Sequence, residues 1–543
     1  MHDRALPTAE IADRLALYAS LLELAGASPF AVRAYARAAE LIRSSPAPVG
    51  ELVRAGKVRE LRGIGPGIEA RLRELVETGD IAELAALREE LDPELVGYGR
   101  LRGITAARML EISRALGLRT VAEFETAVAD GRLREVAGIG PVTEARIRAA
   151  VAEPPRAPRG LTLNRSRPLS LALAEALGGA VAGEPRRYCE LAHELVVVCP
   201  GEDASTLLAR LEAHPAIVAI LEREARGGLG LTLEGVPVRL VVAPAATFGT
   251  ALFRATGSAE YVAALEPLPD APDEDALFRL LGLPYCPPEL RERPGAVAPP
   301  GLVDAQSLRG DLHCHTTWSD GKATVRELGE AARARGYDYV AVCDHTPNVR
   351  VVPGLDADAL RRQAEEIAEV NAALAPFRVL RGVECDLRAD GSLDVDDDVL
   401  LELEWVQLSL HAGQRRSRAE LTRIVTAAMR HPAVRALSHP KGRILNHRPE
   451  NALDLDEVFA VAADTGVALE VNGLPDRLDL SAEHVRRAAG ARIPLVLNSD
   501  AHSVRGLENV ELAVATARKG GVQRDVVVNA RPLAELLGRP RGA

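Results

Sequence analysis

Lysine is nearly missing from this 543-residue chain: of its 66 Lys+Arg residues only four are lysine, at 57, 322, 441 and 519. Any chemistry that needs a lysine amine therefore has few candidates. Aromatic residues make up 3%, so the cores must be packed from Leu, Val and Ala. The six cysteines stand at 189, 199, 286, 314, 343 and 385, with no Cys-X-X-Cys among them. That excludes a disulfide framework and a zinc finger, and reads as small buried fillers. No secretory signal is visible and no apolar run reaches ~18 residues, so no membrane association is expected and a cytoplasmic location is. The net charge of −11 does not suit a nonspecific nucleic-acid binder. Residues 1–160 are nevertheless neutral, with 23 Lys+Arg against 23 Asp+Glu, so the acid lies downstream.

What is present divides the chain into three parts. Residues 1–155 read as short helices, the first over 8–25 with apolar residues at helical spacing. Leu61-Arg-Gly-Ile-Gly-Pro-Gly-Ile-Glu-Ala-Arg-Leu72 and Val136-Ala-Gly-Ile-Gly-Pro-Val-Thr-Glu-Ala-Arg-Ile147 repeat one device, Gly-Ile-Gly-Pro between helices. A third copy, Leu101-Arg-Gly-Ile-Thr-Ala-Ala-Arg-Met109, lacks the second glycine. These segments look like helix-hairpin-helix modules. In such modules a tight glycine hairpin brings backbone N–H groups against a phosphate, and the next helix adds its dipole. Contacts of this kind read no bases and need little net charge. Gly63, Gly65, Gly67, Gly138, Gly140 and Thr143 are the DNA-binding candidates. A Pro-rich stretch at 153–159 marks a linker. Residues 160–300 then mix helices with strands, and a second linker at 293–301 precedes the third part, 306–543.

That third part carries the densest chemistry. Six short apolar runs end in His313-Cys-His315, Asp-His345, Glu384, His411, His439 and Asp500-Ala-His502, and Asp320 follows the first run. A seventh run, 467–472, ends without a histidine. Helical stretches separate the runs, which predicts a parallel barrel with its site at the C-terminal strand ends. Alternate residues on a strand share a face, so His313 and His315 converge, as do Asp500 and His502. Mixed His and carboxylate ligands suit Mn²⁺, Zn²⁺ or Fe²⁺. Asp311 and Asp344 are expected to orient ligand histidines, and Lys441 and Arg443 to grip a substrate phosphate.

The order of parts resembles bacterial family X DNA polymerases with a C-terminal PHP (polymerase and histidinol phosphatase) domain. The likeness is most specific in Gly-Asp-Leu-His-Cys-His-Thr-Thr-Trp-Ser-Asp-Gly (310–321), Pro-Asp-Arg-Leu-Asp-Leu (475–480) and Asn-Ser-Asp-Ala-His-Ser (498–503). It implies a helix-hairpin-helix domain, a polymerase palm and thumb over 160–300, and a distorted (β/α)7 barrel. It also implies three metal ions. His313, His315, Glu384 and Asp500, the catalytic candidates, would hold one. Glu384 would bridge to a second on His411 and His439, and Asp320, His345 and His502 would hold the third.

In the middle part the chain departs from the family. Where the family has two Asp alternating on a strand, this sequence has Glu194 and Val196, and the third Asp position holds Arg239. The family's Gly-Ser turn is Gly183-Glu184. The lyase lysine falls on Arg71, which cannot form a Schiff base. The resemblance thus implies a phosphoesterase acting on DNA (a 3′→5′ exonuclease or 3′-end processing enzyme on gapped, recessed or damaged ends, nucleoid-associated), with a palm that no longer polymerises. The alternatives are a small-molecule phosphatase of the histidinol-phosphatase kind, an active polymerase, and a non-catalytic DNA-binding scaffold.

Overall fold

A computed structural model describes the chain except for residues 1–5, 25–27, 44–47, 62, 85–94, 96–97, 100–101, 153–159, 233–234, 351 and 539–543. The expected helix at 8–25 runs Thr8–Leu24, and Ala25 lies outside the described residues. The N-terminal part is all helical among the described residues, around two apolar cores. One joins Ile11, Leu15, Leu72 and Leu75; the other joins Met109, Phe124, Leu133 and Ile147. Each hairpin copy turns on a glycine in the left-handed region: Gly63 at φ 111°, Gly103 at φ 69° and Gly138 at φ 79°. In the two intact copies a proline then opens the next helix, Pro66–Thr78 and Pro141–Ala152, where its fixed φ and missing N–H are harmless. The worn copy uses Thr105 instead, whose side chain accepts from Arg108 N.

The middle part is a five-stranded sheet. Its strands are β1 (Ala180–Ala182), β2 (Leu195–Pro200), β3 (Ile217–Glu224), β4 (Gly227–Thr232) and β5 (Pro237–Ala243), in the order β1-β2-β5-β4-β3. Helix Leu163–Leu177 packs on one face through Leu173 and Leu177, and Leu252 packs against Val196 and Val198 on the other. β2 and β5 run parallel, with Val196 beside Arg239. Beyond the sheet, Arg291 is fully buried and shares Glu274 with Arg186. A buried guanidinium persists only when its donors and charge are met, and Glu274 with the Cys286 carbonyl does that.

The C-terminal part is a seven-stranded parallel sheet in strict chain order. Its strands are β6 (Gly310–Cys314), β7 (Tyr339–Val342), β8 (Arg378–Asp386), β9 (Trp405–Ser409), β10 (Val434–Leu437), β11 (Ala468–Asn472) and β12 (Leu495–Asn498). Helices cover the outside, several started by side-chain caps such as Thr324, Asp356, Ser417 and Ser481. Strands buried on both faces read as apolar runs, as parallel strands must. The sheet nearly closes into a barrel. Asn498 Oδ1 accepts from Leu312 N at 3.0 Å, Asp311 accepts from Ser499 N at 3.2 Å, and His315 N reaches the Ala501 carbonyl at 2.8 Å. Asp311 is therefore a staple across the seam between β6 and β12 rather than a partner for an imidazole ring.

Candidate metal centre

All nine predicted ligands meet at the C-terminal mouth of the barrel. Glu384, near the end of β8, sits in the middle. Its Oε2 lies 2.9 Å from His345 Nδ1, 3.5 Å from His313 Nε2 and 3.7 Å from His315 Nε2. Its Oε1 lies 2.9 Å from His439 Nε2 and 3.6 Å from His411 Nε2. Asp500 Oδ1 is 3.1 Å from His315 Nε2. Asp320 is 3.3 Å from His502 Nε2 and 3.6 Å from His345 Nε2. Among the described residues, three groups have ligand atoms within 4.8 Å of one another: His313–His315–Asp500, His345–Glu384–His411 and His315–Asp320–His345–His502. His315 and His345 each belong to two groups, so the geometry is more interlocked than three separate sites. His313, His315, His345, Glu384, His439 and Asp500 are buried, whereas His411, Asp320 and His502 are half-exposed and mark the open side.

The electrostatics fit cations. Burial alone would push Glu384 and Asp500 up, but the surrounding imidazoles hold both carboxyls well below their ordinary range. Burial likewise opposes charge on His313, yet Glu470, Asp500 and Glu384 outweigh it and raise that ring well above its ordinary value. His345 is pushed up to about 10 against the same penalty, by Glu384 and Asp320. His315 Nδ1, His345 Nδ1 and His439 Nδ1 are buried with no hydrogen-bond partner, although His345 Nδ1 is close to Glu384. Buried ring nitrogens short of partners are costly, and imidazoles crowded with carboxylates form a donor set that a divalent cation can take.

A second ring, unforeseen in the sequence, holds the ligands. Glu470 on β11 is fully buried and accepts from Gln407 Nε2 at 2.6 Å, Asn498 Nδ2 at 2.8 Å and His439 N at 2.8 Å. It also lies 2.7 Å from His313 Nδ1, which fixes the tautomer that aims Nε2 at the centre. Asp386 holds His411 through its backbone, accepting from His411 N at 2.9 Å. The seventh run, which ends without a histidine, thus contributes through its interior. The signal available was alternation: Ala468, Glu470 and Asn472 share one face of a strand.

Three expectations need correction. Asp344 does not orient a histidine; it accepts from Thr316 N at 2.8 Å, from Thr316 Oγ1 and Gln363 Nε2 at 2.6 Å, and from Ser319. Asp311 does not touch a ring either; it accepts from His313 N at 3.2 Å and staples the seam described above. Lys441 and Arg443 are both buried, and most of their donors are taken within the protein. Lys441 Nζ donates to the Asn451 and Leu453 carbonyls at 2.7 and 2.9 Å. Arg443 donates to Glu190 and to the Arg477 carbonyl at 3.0 Å. Neither is free to grip a phosphate, because carbonyls and a carboxylate already occupy the donors a phosphate would use.

Comparison with known proteins places this site. The helix-hairpin-helix domain model matches residues 7–81 and the PHP domain model matches 311–491. The "DNA polymerase/3'-5' exonuclease PolX" of Bacillus subtilis is 30% identical over 95% of this chain and 96% of its own. The chain belongs to the family X DNA polymerases that carry a C-terminal PHP domain. Probable phosphatases of Syntrophotalea carbinolica and Photobacterium profundum are each 29% identical, over 40% and 37% of this chain and 90% and 81% of theirs. Membership makes this a DNA-binding, metal-dependent enzyme of the polymerase and exonuclease type. Among the described residues no helix is long and apolar enough to cross a membrane.

Against the family pattern, the middle sheet is filled differently. Arg239 Nε donates to Glu194 at 2.9 Å, and Val196 sits beside Arg239 across the parallel ladder. A Cβ on Gly183 would come within 2.9 Å of Val196 Cγ2, so the valine fills the space under the turn. Glu184 is taken by backbone, accepting from His193 N at 2.6 Å and Glu194 N at 3.3 Å.

Proposed function

We propose that this protein is a metal-dependent phosphoesterase that trims or cleans DNA 3′ ends in its barrel, and that its palm no longer extends them. The observation that carries the first half is the convergence of eight candidate metal ligands with a ninth, Glu384, at their centre. We assign His313, His315, Glu384 and Asp500 to one ion, Glu384 with His411 and His439 to a second, and Asp320, His345 and His502 to a third. When bound, Mn²⁺, Zn²⁺ or Fe²⁺ ions supply Lewis acidity toward phosphate oxygens and the attacking water. The chain's own residues do the positioning. Glu470 holds His313 in one tautomer, Glu384 presents one oxygen to each half of the centre, and the half-exposed Asp320, His411 and His502 leave the opening through which a phosphodiester enters.

The second half rests on Val196 and Arg239. Nucleotidyl transfer on two Mg²⁺ needs convergent carboxylates; here one position is an alkyl group and another a cation paired to Glu194. The three hairpins make DNA the substrate, through Gly63, Gly65, Gly67, Gly138, Gly140 and Thr143. A small-molecule phosphatase is the second reading, favoured by the likeness of the barrel alone to probable phosphatases.

A gel assay decides between them. The purified protein meets a 3′-recessed, end-labelled duplex with Mn²⁺, with and without dNTPs, beside a His313→Ala control. Shortening that the control loses is the expected result. Extension with dNTPs would overturn the palm reading. Hydrolysis of histidinol phosphate with intact DNA left over would favour the small-molecule reading, and tight DNA binding without any hydrolysis a scaffold.

A further inference from the structure

The metal-ligand turn at His439 is anchored from outside the barrel. Arg443 lies four residues after His439 and is buried. Its Nη1 and Nη2 donate to the two carboxylate oxygens of Glu190 at 3.1 and 2.6 Å. Its Nε reaches the Arg477 carbonyl at 3.0 Å, and Nη2 also meets the Leu478 carbonyl. One guanidinium therefore ties together the turn after β10, the loop after β11 and the middle domain. A buried guanidinium needs a carboxylate. Glu190 is the nearest; Glu450 is next, at 3.9 Å.

We propose that Glu190, in the palm, is a positioning residue for the metal centre, acting through Arg443 on the turn that presents His439. The proposal rests on the metal-site assignment above. His439 has φ 23°, in the sparsely populated positive region, and Gly442 closes the turn by donating its N–H to the His439 carbonyl at 2.9 Å. A non-glycine residue stays in such a conformation only where its surroundings over-determine it. Besides the Lys441 Nζ contacts and those on the Pro440 and Gly442 carbonyls, three anchors bear on this turn. Glu470 accepts from His439 N and Asp479 from Lys441 N at 3.2 Å, both within the barrel. The third is the Arg443–Glu190 pair, whose carboxylate belongs to the other domain.

Apolar contacts reinforce that anchor. Leu163 of the middle domain is buried against Leu445 and Leu478, with Tyr188 and Leu191 packed alongside. Asn446 Nδ2 donates to the Gly160 carbonyl at 2.9 Å. The palm, emptied of carboxylates for nucleotide transfer, thus supplies one to a barrel loop. His439 Nε2 lies only 2.9 Å from Glu384, so loosening the turn takes an imidazole away from the central carboxylate. Matches of 230 and 215 residues already cover 90% and 81% of the two probable phosphatases, so those chains are too short to carry all three parts of this one.

The test uses full-length Glu190→Gln and Glu190→Asp, with Glu194→Gln as control, which breaks the palm's own pair with Arg239. Glu190 is partly exposed, 39% by its side chain, and Glu190→Asp keeps a carboxylate for Arg443; thermal melting of each variant checks that the fold is retained. Mn²⁺ is titrated without DNA and free ion is followed by electron paramagnetic resonance. The expected result is that Glu190→Gln weakens the loosest Mn²⁺ site roughly tenfold, the scale of outer-shell effects. Glu190→Asp weakens it less, and Glu194→Gln not at all. The Mn²⁺ half-saturation of DNA shortening rises in parallel, while the rate at saturating Mn²⁺ stays within about twofold.

Mn²⁺ binding by Glu190→Gln equal to the parent's overturns the proposal, as does equal weakening by Glu194→Gln or a parent that binds no Mn²⁺. A parent that binds Mn²⁺ but leaves DNA intact sinks the nuclease reading alone, and the titration still decides Glu190.

Discussion

The barrel mouth and the palm are both sites where neighbouring parallel strands bring polar side chains together, and they are satisfied in opposite ways. In the palm the charges are matched inside the protein: Glu194 by Arg239, Glu184 by two backbone N–H groups, Glu190 by Arg443. At the barrel mouth, imidazoles crowd around buried carboxylates, and among the candidate ligands His315, His345 and His439 each have one ring nitrogen with no hydrogen bond. A group satisfied by its own protein makes no demand on a ligand; a buried group left short does. On the proposed reading, the difference between an active centre and a structural remnant lies in the residual demand rather than in the backbone. Val196 and Arg239 remove that demand in the palm with two side chains.

The comparison is broken most severely at Glu384. Glu384→Gln keeps the shape but replaces an anion that five imidazoles approach within 4 Å. Because it would belong to two ions, its loss is expected to lower DNA hydrolysis by at least about a thousandfold. Metal content measured on the same preparation should fall with it. Retained metal with retained activity would remove Glu384 from the centre.

Glu470→Gln is the next largest. The amide can still accept from Gln407 or Asn498, but it no longer stabilises the Nδ1–H of His313. Outer-shell partners of metal histidines are worth roughly 10–100-fold in affinity or activity, and a Mn²⁺ titration of the hydrolysis rate checks this. An unchanged half-saturation would make Glu470 a packing residue.

How much of this was legible in the sequence follows from the same physics. The convergence of the nine candidate ligands was readable because the strand runs are short, apolar and separated by helices, so a His, Asp or Glu at or just past the end of each run has one place to go. Glu470 was not, because a carboxylate inside an apolar run signals nothing until alternation is followed inward. Lys441 and Arg443 misled because charge after a ligand resembles a substrate grip; the carboxylate that takes Arg443, Glu190, lies more than 250 residues away in the chain, and Lys441 turns inward onto the Asn451 and Leu453 carbonyls. The palm's substitutions were readable as missing carboxylates. Their mutual compensation, Val196 against Gly183 and Arg239 against Glu194, required the strand register.

Val196→Asp sharpens the comparison from the other side by returning one carboxylate to the palm. Val196 is buried, so the new charge is expected to cost about 1–3 kcal/mol in stability, read as a lower melting temperature. Arg239 stands beside it in register and would take the charge. Primer extension with dNTPs should remain absent. Extension by this single variant would show that the palm lacks nothing but that one ligand.

The smallest effect belongs to the hairpins, and it separates DNA contact from fold. Gly138 has φ 79°, so any side chain there strains the turn and confuses the two. Gly140 is different: its φ lies outside the left-handed region, and a Cβ built on it meets nothing within 4 Å. Gly140→Ala should therefore leave the melting temperature unchanged. If the Gly-Ile-Gly backbone lies against a phosphate, the added methyl stands between the N–H groups and the phosphate oxygens. An affinity loss of about three- to tenfold, up to ~1.4 kcal/mol, is then expected for duplex DNA, measured by fluorescence anisotropy at fixed salt. Gly65, equally open in the first hairpin, offers the matched substitution. Losses at both positions would mean that both intact hairpins touch DNA. A loss at one alone would identify the hairpin that does, and no loss at either would reduce the pair to corners in helix packing.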